Sequence, residues 1–195
     1  MEPPKHLLIA LKGRYAEPQR HYHTWDHITA LLEHFGSIAS DLNDPEATLW
    51  ALYWHDAVYD PSRSDNEDVS ADLLLTEAEG LLNKASLMRA DRIIRATKQH
   101  IVPDELSGSD RHDLQLFLDI DLSILGASES VFETYENNIR KEYAFVPEAV
   151  YFQARSTILA GFLKRDRLYF SDYFYNKWER TARGNLERSI ARLTS

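Results

Sequence analysis

His55 and Asp56 stand side by side in LWALYWHDAVY (Leu49 to Tyr59), where every other residue is apolar or aromatic. As a helix, that segment is apolar all round and belongs in the interior. An unpaired carboxylate placed there costs several kcal/mol or shifts its pKa. Two remedies are open. Each polar group can find its own hydrogen-bond partner in the core, or the pair can share a divalent cation, which accepts both an imidazole nitrogen and a carboxylate oxygen.

Two further polar residues interrupt apolar stripes. His27 lies one turn before Leu31, on the face that Leu31 shares with Phe35. Asp121 falls within Leu114, Phe117, Leu118, Leu122 and Leu125, all at helical spacing, and its phase directs it to the core. Asp119, two residues earlier, is expected on the other side of that helix, as a solvated carboxylate or one supporting a ligand. It is the alternate ligand within the tripeptide Asp119-Ile120-Asp121. Two imidazoles and two carboxylates form a hard-to-borderline donor set with room for water. That set suits Mn, Fe, Co, Ni or Mg better than a closed structural Zn site, and the identity of the ion stays open among these six.

Apolar residues recur at helical spacing through almost the whole chain. One stripe runs Ile28, Leu31, Leu32, Phe35 and Ile38, and another Leu87, Ala90, Ile94, Thr97 and Ile101. A third contains Asp121, a fourth is Tyr151, Ala154, Ile158 and Phe162, and a fifth is Trp178, Ala182, Leu186 and Ile190. No segment alternates long enough for a sheet. Turn signals separate the stripes, among them Asn43-Asp44-Pro45, Asp60-Pro61-Ser62, Val102-Pro103-Asp104 and Ser107-Gly108-Ser109. Pro147 reads as a first-turn proline. The pattern predicts an all-α fold of seven or eight helices in an orthogonal bundle. It is read as one domain over residues 1–195, with 147–195 as a C-terminal helical extension packed on the core.

The chain has 195 residues, 44% of them hydrophobic and 27% charged, which indicates a sizeable core and not disorder. With 31 acidic and 22 basic side chains the net charge is -9, so the overall field attracts neither nucleic acid nor an anionic membrane. An acidic protein that handles phosphates needs a metal, or a local Arg and Lys cluster, to offset that field. The absence of cysteine excludes disulfides, thiolate metal sites and cysteine nucleophiles. The run Leu7 to Leu11 is too short for a signal-peptide core or a membrane span, so a cytoplasmic location is expected. There is no Gly-rich phosphate loop.

Taken in order, His27, His55-Asp56 and Asp121 resemble the HD superfamily of metal-dependent phosphohydrolases, in which a His, a His-Asp pair and a distal Asp sit on a helical core. The flanking stretches resemble a branch of hydrolases of about this chain's length. They are RHYHTWDHI (Arg20 to Ile28), WHDAVYD (Trp54 to Asp60), DNEDVSA (Asp65 to Ala71), TKQH (Thr97 to His100), FLDIDLSILG (Phe117 to Gly126), IRKEY (Ile139 to Tyr143) and ARGNL (Ala182 to Leu186). The resemblance implies an HD-type bundle and hydrolysis of a small phosphorylated substrate, a nucleotide among the candidates. It also implies that Glu67 is a general base or water-orienting group; as a helix N-terminal acid, Glu67 has a structural alternative. For His100 the implied role is contact with phosphate or the attacking water, and the alternative is a C-terminal cap. Arg20, Arg140 and Arg155 are candidate phosphate contacts, with solvation as the alternative for Arg20. His21 and His23 are expected outside the metal's ligand set. The cluster YFSDYFYNKW (Tyr169 to Trp178) reads as core or subunit packing, or as a wall for stacking a nucleobase. Homodimerisation is left open. A ligand-sensing or scaffold module that keeps the metal without turnover is the competing reading, and oxygenase chemistry would need more inward ligands than these.

Overall fold

Asn43-Asp44-Pro45 opens the helix that leads to His55 and Asp56. The Asp44 carboxylate accepts from the Ala47 N–H at 2.9 Å, and Pro45 occupies the first turn, where a missing N–H costs nothing. In the computed structural model, which describes residues 2–194, the chain is all-helical. Among those residues the helices are α1 (Lys5–Arg14), α2 (Trp25–Ile38), α3 (Pro45–Trp54), α4 (Asn66–Glu77), α5 (Lys84–Thr97), α6 (Gly108–Asp121), α7 (Glu129–Glu142), α8 (Glu148–Leu163) and α9 (Asp172–Thr194). A 3-10 helix, Leu122–Gly126, continues α6, and no strand occurs among the described residues. No helix there is long and apolar enough to cross a membrane.

The chain divides into two compact units, residues 1–120 and 121–195. The second therefore takes in 121–146 as well as the expected extension 147–195. The division falls one residue before the end of α6, so Asp121 is carried by a helix whose other residues belong to the first unit.

In the first unit α3 is the centre. Every residue from Ala47 to Trp54 is buried, and the helix packs against α2, α4 and α5. Sequestering side chains such as Leu52 and Trp54 from water contributes about 1.5–3 kcal/mol each. One buried charge ties α6 to the start of α3. The Asp113 carboxylate, fully buried, accepts from the Asn43 N–H at 2.9 Å, the Asn43 Nδ2 at 2.9 Å and the Asp44 N–H at 2.8 Å. Arg89 lies 3.3 Å from it and completes the pairing that a buried carboxylate needs. Entry into α6 is made by Gly108 at φ 59°, a left-handed conformation that glycine adopts without a Cβ penalty.

In the second unit α9 packs against α8 and the 3-10 helix. Asn185 Nδ2 donates to the carbonyls of Leu125 at 2.8 Å and Ala127 at 2.9 Å, and the Tyr169 hydroxyl donates to the Leu122 carbonyl at 3.0 Å. Phe174 and Trp178 stack at 4.4 Å between centroids, and with Tyr169 they are buried. For these three aromatics, core packing is what the fold realises.

Candidate metal centre

His27 is in the first turn of α2, with its side chain buried and its backbone N–H donating to the Thr24 carbonyl at 3.1 Å. Its Nδ1 lies 3.2 Å from the Tyr22 hydroxyl, which fixes the ring and leaves Nε2 facing inward.

His55 and Asp56 do not lie within a helix as the apolar run suggested. α3 ends at Trp54, His55 is its cap, and the chain turns at once, with the Ala57 N–H donating to the Trp54 carbonyl at 3.0 Å. The reason is visible in where the next carbonyls go. Arg20 donates to the Asp56 carbonyl at 2.7 Å and the Ala57 carbonyl at 3.1 Å, and Ser70 Oγ accepts from the Val58 N–H at 3.0 Å. Side chains thus take over the backbone groups that a longer helix would have paired.

This turn brings the side chains of His55 and Asp56 together, though Asp56 lies outside the three-residue group of His27, His55 and Asp121. His55 Nδ1 is 2.9 Å from the Leu52 carbonyl; a carbonyl only accepts, so Nδ1 carries the proton and Nε2 presents its lone pair. His27 Nε2 sits 3.2 Å from His55 Nε2. Asp56 Oδ2 lies 3.0 Å from His55 Nε2 and 3.8 Å from His27 Nε2. Asp121, buried at the end of α6, completes the group: one ligand atom each from His27, His55 and Asp121 fall within 4.8 Å of one another. Neighbouring ligands of a six-coordinate ion with bonds of ~2.1 Å stand about 3 Å apart, close to the spacings of His55 Nε2 from His27 and from Asp56. Acceptors so near one another in the interior require a proton or a cation among them. The donor set fits a divalent metal.

Electrostatics at Asp56 point the same way. Burial by itself pushes its carboxyl up, yet the nearby imidazoles of His55, His23 and His27 hold it well below the usual carboxylate range. Its ionised form is therefore the favoured one.

Asp119 is fully buried, not solvated, and lies outside the three-residue group. Glu67 stands half-buried in the first turn of α4, and its charge adds a minor part to the raised pKa of Lys98, which the hydrogen bond to Asp68 chiefly causes. His100 follows α5 at φ 50°, with its N–H donating to the Ala96 carbonyl at 3.0 Å, so its backbone is that of a left-handed helix terminator. Neither Glu67 nor His100 belongs to the group around His55.

All three candidate arginines are directed at the protein's own oxygens. Besides the carbonyls of Asp56 and Ala57, Arg20 engages the His23 carbonyl at 3.1 Å and Glu17 at 3.1 Å, and its side chain is fully buried instead of solvated. In the second unit Arg140 donates to the carbonyls of Tyr143 at 2.7 Å and Val146 at 3.2 Å. Arg155 pairs with Glu136 and donates to the Tyr135 hydroxyl at 2.8 Å.

Reading the sequence did not identify the roles of Tyr22 and His23. His23 stacks on Tyr59 at 4.1 Å and is one of the imidazoles that hold the Asp56 carboxyl low. The available signal was their closeness in sequence to His27. No protein-family model matches the chain, and neither a curated protein nor a solved structure does.

Proposed function

We propose that the chain catalyses metal-dependent hydrolysis of a phosphate ester or phosphoanhydride, with nucleotides among the substrates. The observation that carries this reading is the convergence of His27, His55 and Asp121 within 4.8 Å. The ordered resemblance of the flanking motifs to the HD superfamily supports the hydrolytic direction.

A bound divalent ion would polarise a phosphoryl oxygen and lower the pKa of water. The chain's own residues hold the geometry. The Leu52 carbonyl and the Tyr22 hydroxyl fix the two imidazoles, and Arg20 fixes the backbone of Asp56. Glu67 is assigned to take the proton from the attacking water, and His100 to meet the phosphoryl oxygens; both assignments follow the resemblance. The oxygen of water bonds to phosphorus, the bond from phosphorus to the leaving oxygen breaks, and that oxygen leaves as the alcohol or phosphate, gaining the proton that Glu67 took from water.

The test is purified protein supplied with Mn, Co, Ni or Mg and a panel of nucleotides and phosphate esters. Turnover with at least one metal, lost in a folded His55→Ala variant, is expected. If no metal supports turnover, the reading fails; tight nucleotide binding without product would then mark a ligand-sensing module.

A further inference from the structure

From Asp56 to Asp60 the chain runs outside any helix, and side chains meet its backbone groups from two directions. Arg20 takes the carbonyls of Asp56 and Ala57, and Gln19 Nε2 donates to that of Tyr59 at 3.2 Å. From the other direction come two residues of α4. Ser70 Oγ accepts from the Val58 N–H at 3.0 Å. Asn66 makes the fuller contact: its Oδ1 accepts from the Asp60 N–H at 3.1 Å, and its Nδ2 donates to the Asp60 carbonyl at 2.8 Å. One side-chain amide thus pairs with both backbone groups of one residue, as the facing residue of an antiparallel strand does.

Asn66 opens α4 without capping it; the cap position is Asp65, whose side chain makes no capping hydrogen bond. Asn66 and Ser70 are both buried and stand one turn apart, on one face of the helix. At about 100° per residue, Glu67 falls on the same side as Ser70, Ala71 and Leu74, all of them buried. Glu67 is therefore on the inward side of α4 and next in sequence to the residue that ties this helix to Asp60. An apolar contact would seat the helix loosely in rotation. Two hydrogen bonds from one planar amide fix both its distance and its direction.

We propose, on the reading of this site as a metal-dependent hydrolase, that Asn66 is a positioning residue for the candidate metal centre. Its paired bonds to Asp60 hold the turn that carries His55 and Asp56, and they set Glu67 against that turn. Asn66 acts through these neighbours. A displacement of about 1 Å in a group that takes a proton costs about 100-fold in rate, so the effect falls on turnover and not on substrate binding.

The test compares the native full chain with Asn66→Ala, Glu67→Gln and the double variant. In calorimetric titration with Mn, Asn66→Ala should bind about tenfold more weakly, as when an outer support of a ligand is removed, and Glu67→Gln as the native chain does. At saturating Mn and below the Tm of every form, Asn66→Ala should lower kcat by about 10–100-fold with KM unchanged. Adding it to Glu67→Gln should lower kcat no further, because the two act through one group. Asn66→Asp keeps the acceptor for the Asp60 N–H and loses the donor; it should lie between native and Asn66→Ala, and it serves if the alanine variant does not fold. A lowered Tm with native Mn affinity and native kcat makes Asn66 merely structural and overturns the proposal. So does a double variant slower than Glu67→Gln by the full factor of Asn66→Ala. A native chain that binds Mn but turns over no phosphate ester overturns the hydrolase reading and the setting of Glu67 with it. The Mn titration alone then decides whether Asn66 holds the turn: weaker binding by Asn66→Ala supports it, and unchanged binding overturns it.

Discussion

Arg20 donates through Nη1 to the carbonyl oxygen of Asp56 at 2.7 Å, from a side chain with no solvent exposure. The contact joins the approach to α2, which brings His27, to the turn after α3, which brings His55 and Asp56. It makes an arginine part of the backbone geometry of the candidate metal centre.

Replacing Arg20 by Met should therefore do two separable things. Buried carbonyls at Asp56 and Ala57 lose their donor, which should cost about 2–4 kcal/mol by urea denaturation. Metal affinity should also fall by about 10–100-fold in a calorimetric titration, as when an outer support of a ligand is removed. Arg20→Lys should recover part of both.

Asp113 sets the other side of the site, because its bonds to Asn43 and Asp44 hold α6 beside the start of α3. Asp113→Ala leaves those buried donors unpaired and should lower stability by about 3–5 kcal/mol, read as a shift in the denaturation midpoint.

Gly126 ends the 3-10 helix against Trp178. A Cβ there would stand 2.5 Å from Trp178 Cβ and 2.7 Å from its Cγ, neither being the free end of a flexible chain. Gly126→Ala should lower Tm, at a cost of about 1–3 kcal/mol.

Asp110 gives the acid limb of stability a direction. Partial burial raises its pKa, but hydrogen bonds from Arg92 and Arg89 bring it below the ordinary value. With the folded value lower than the unfolded ~3.9, its contribution is complete above the unfolded value. It is lost as pH falls through the folded one. Asp110→Asn should remove this loss, leaving a shallower decline in Tm below about pH 4.

The helical class was legible in the sequence because apolar spacing near 3.6 recurs throughout. The inward positions of His27 and Asp121 followed from that same phase. The end of α3 was not legible: LWALYWHDAVY has no Gly or Pro, and the chain turns because Arg20, remote in sequence, captures the carbonyls beyond it. Burial removes the solvated alternative for Asp119 and leaves the supporting one, and the reason the two were not separable is related. Helix phase separates it from Asp121, but it does not tell which side faces solvent when a helix is buried all round, as Leu116 to Asp121 are. The arginines show what composition hides. A guanidinium offers the same donors to a phosphate as to backbone carbonyls, and only the fold decides between them.

The most direct test of the metal centre is to titrate apo protein with Mn or Co at neutral pH, and to repeat it for His27→Ala, His55→Ala and Asp121→Ala. One ion per chain is expected for the native protein, with a loss of at least about tenfold in affinity for each variant. Affinity should also drop below about pH 6.5, where free imidazoles protonate. A native chain that binds neither ion, or three variants that bind as it does, would contradict a metal held by these residues.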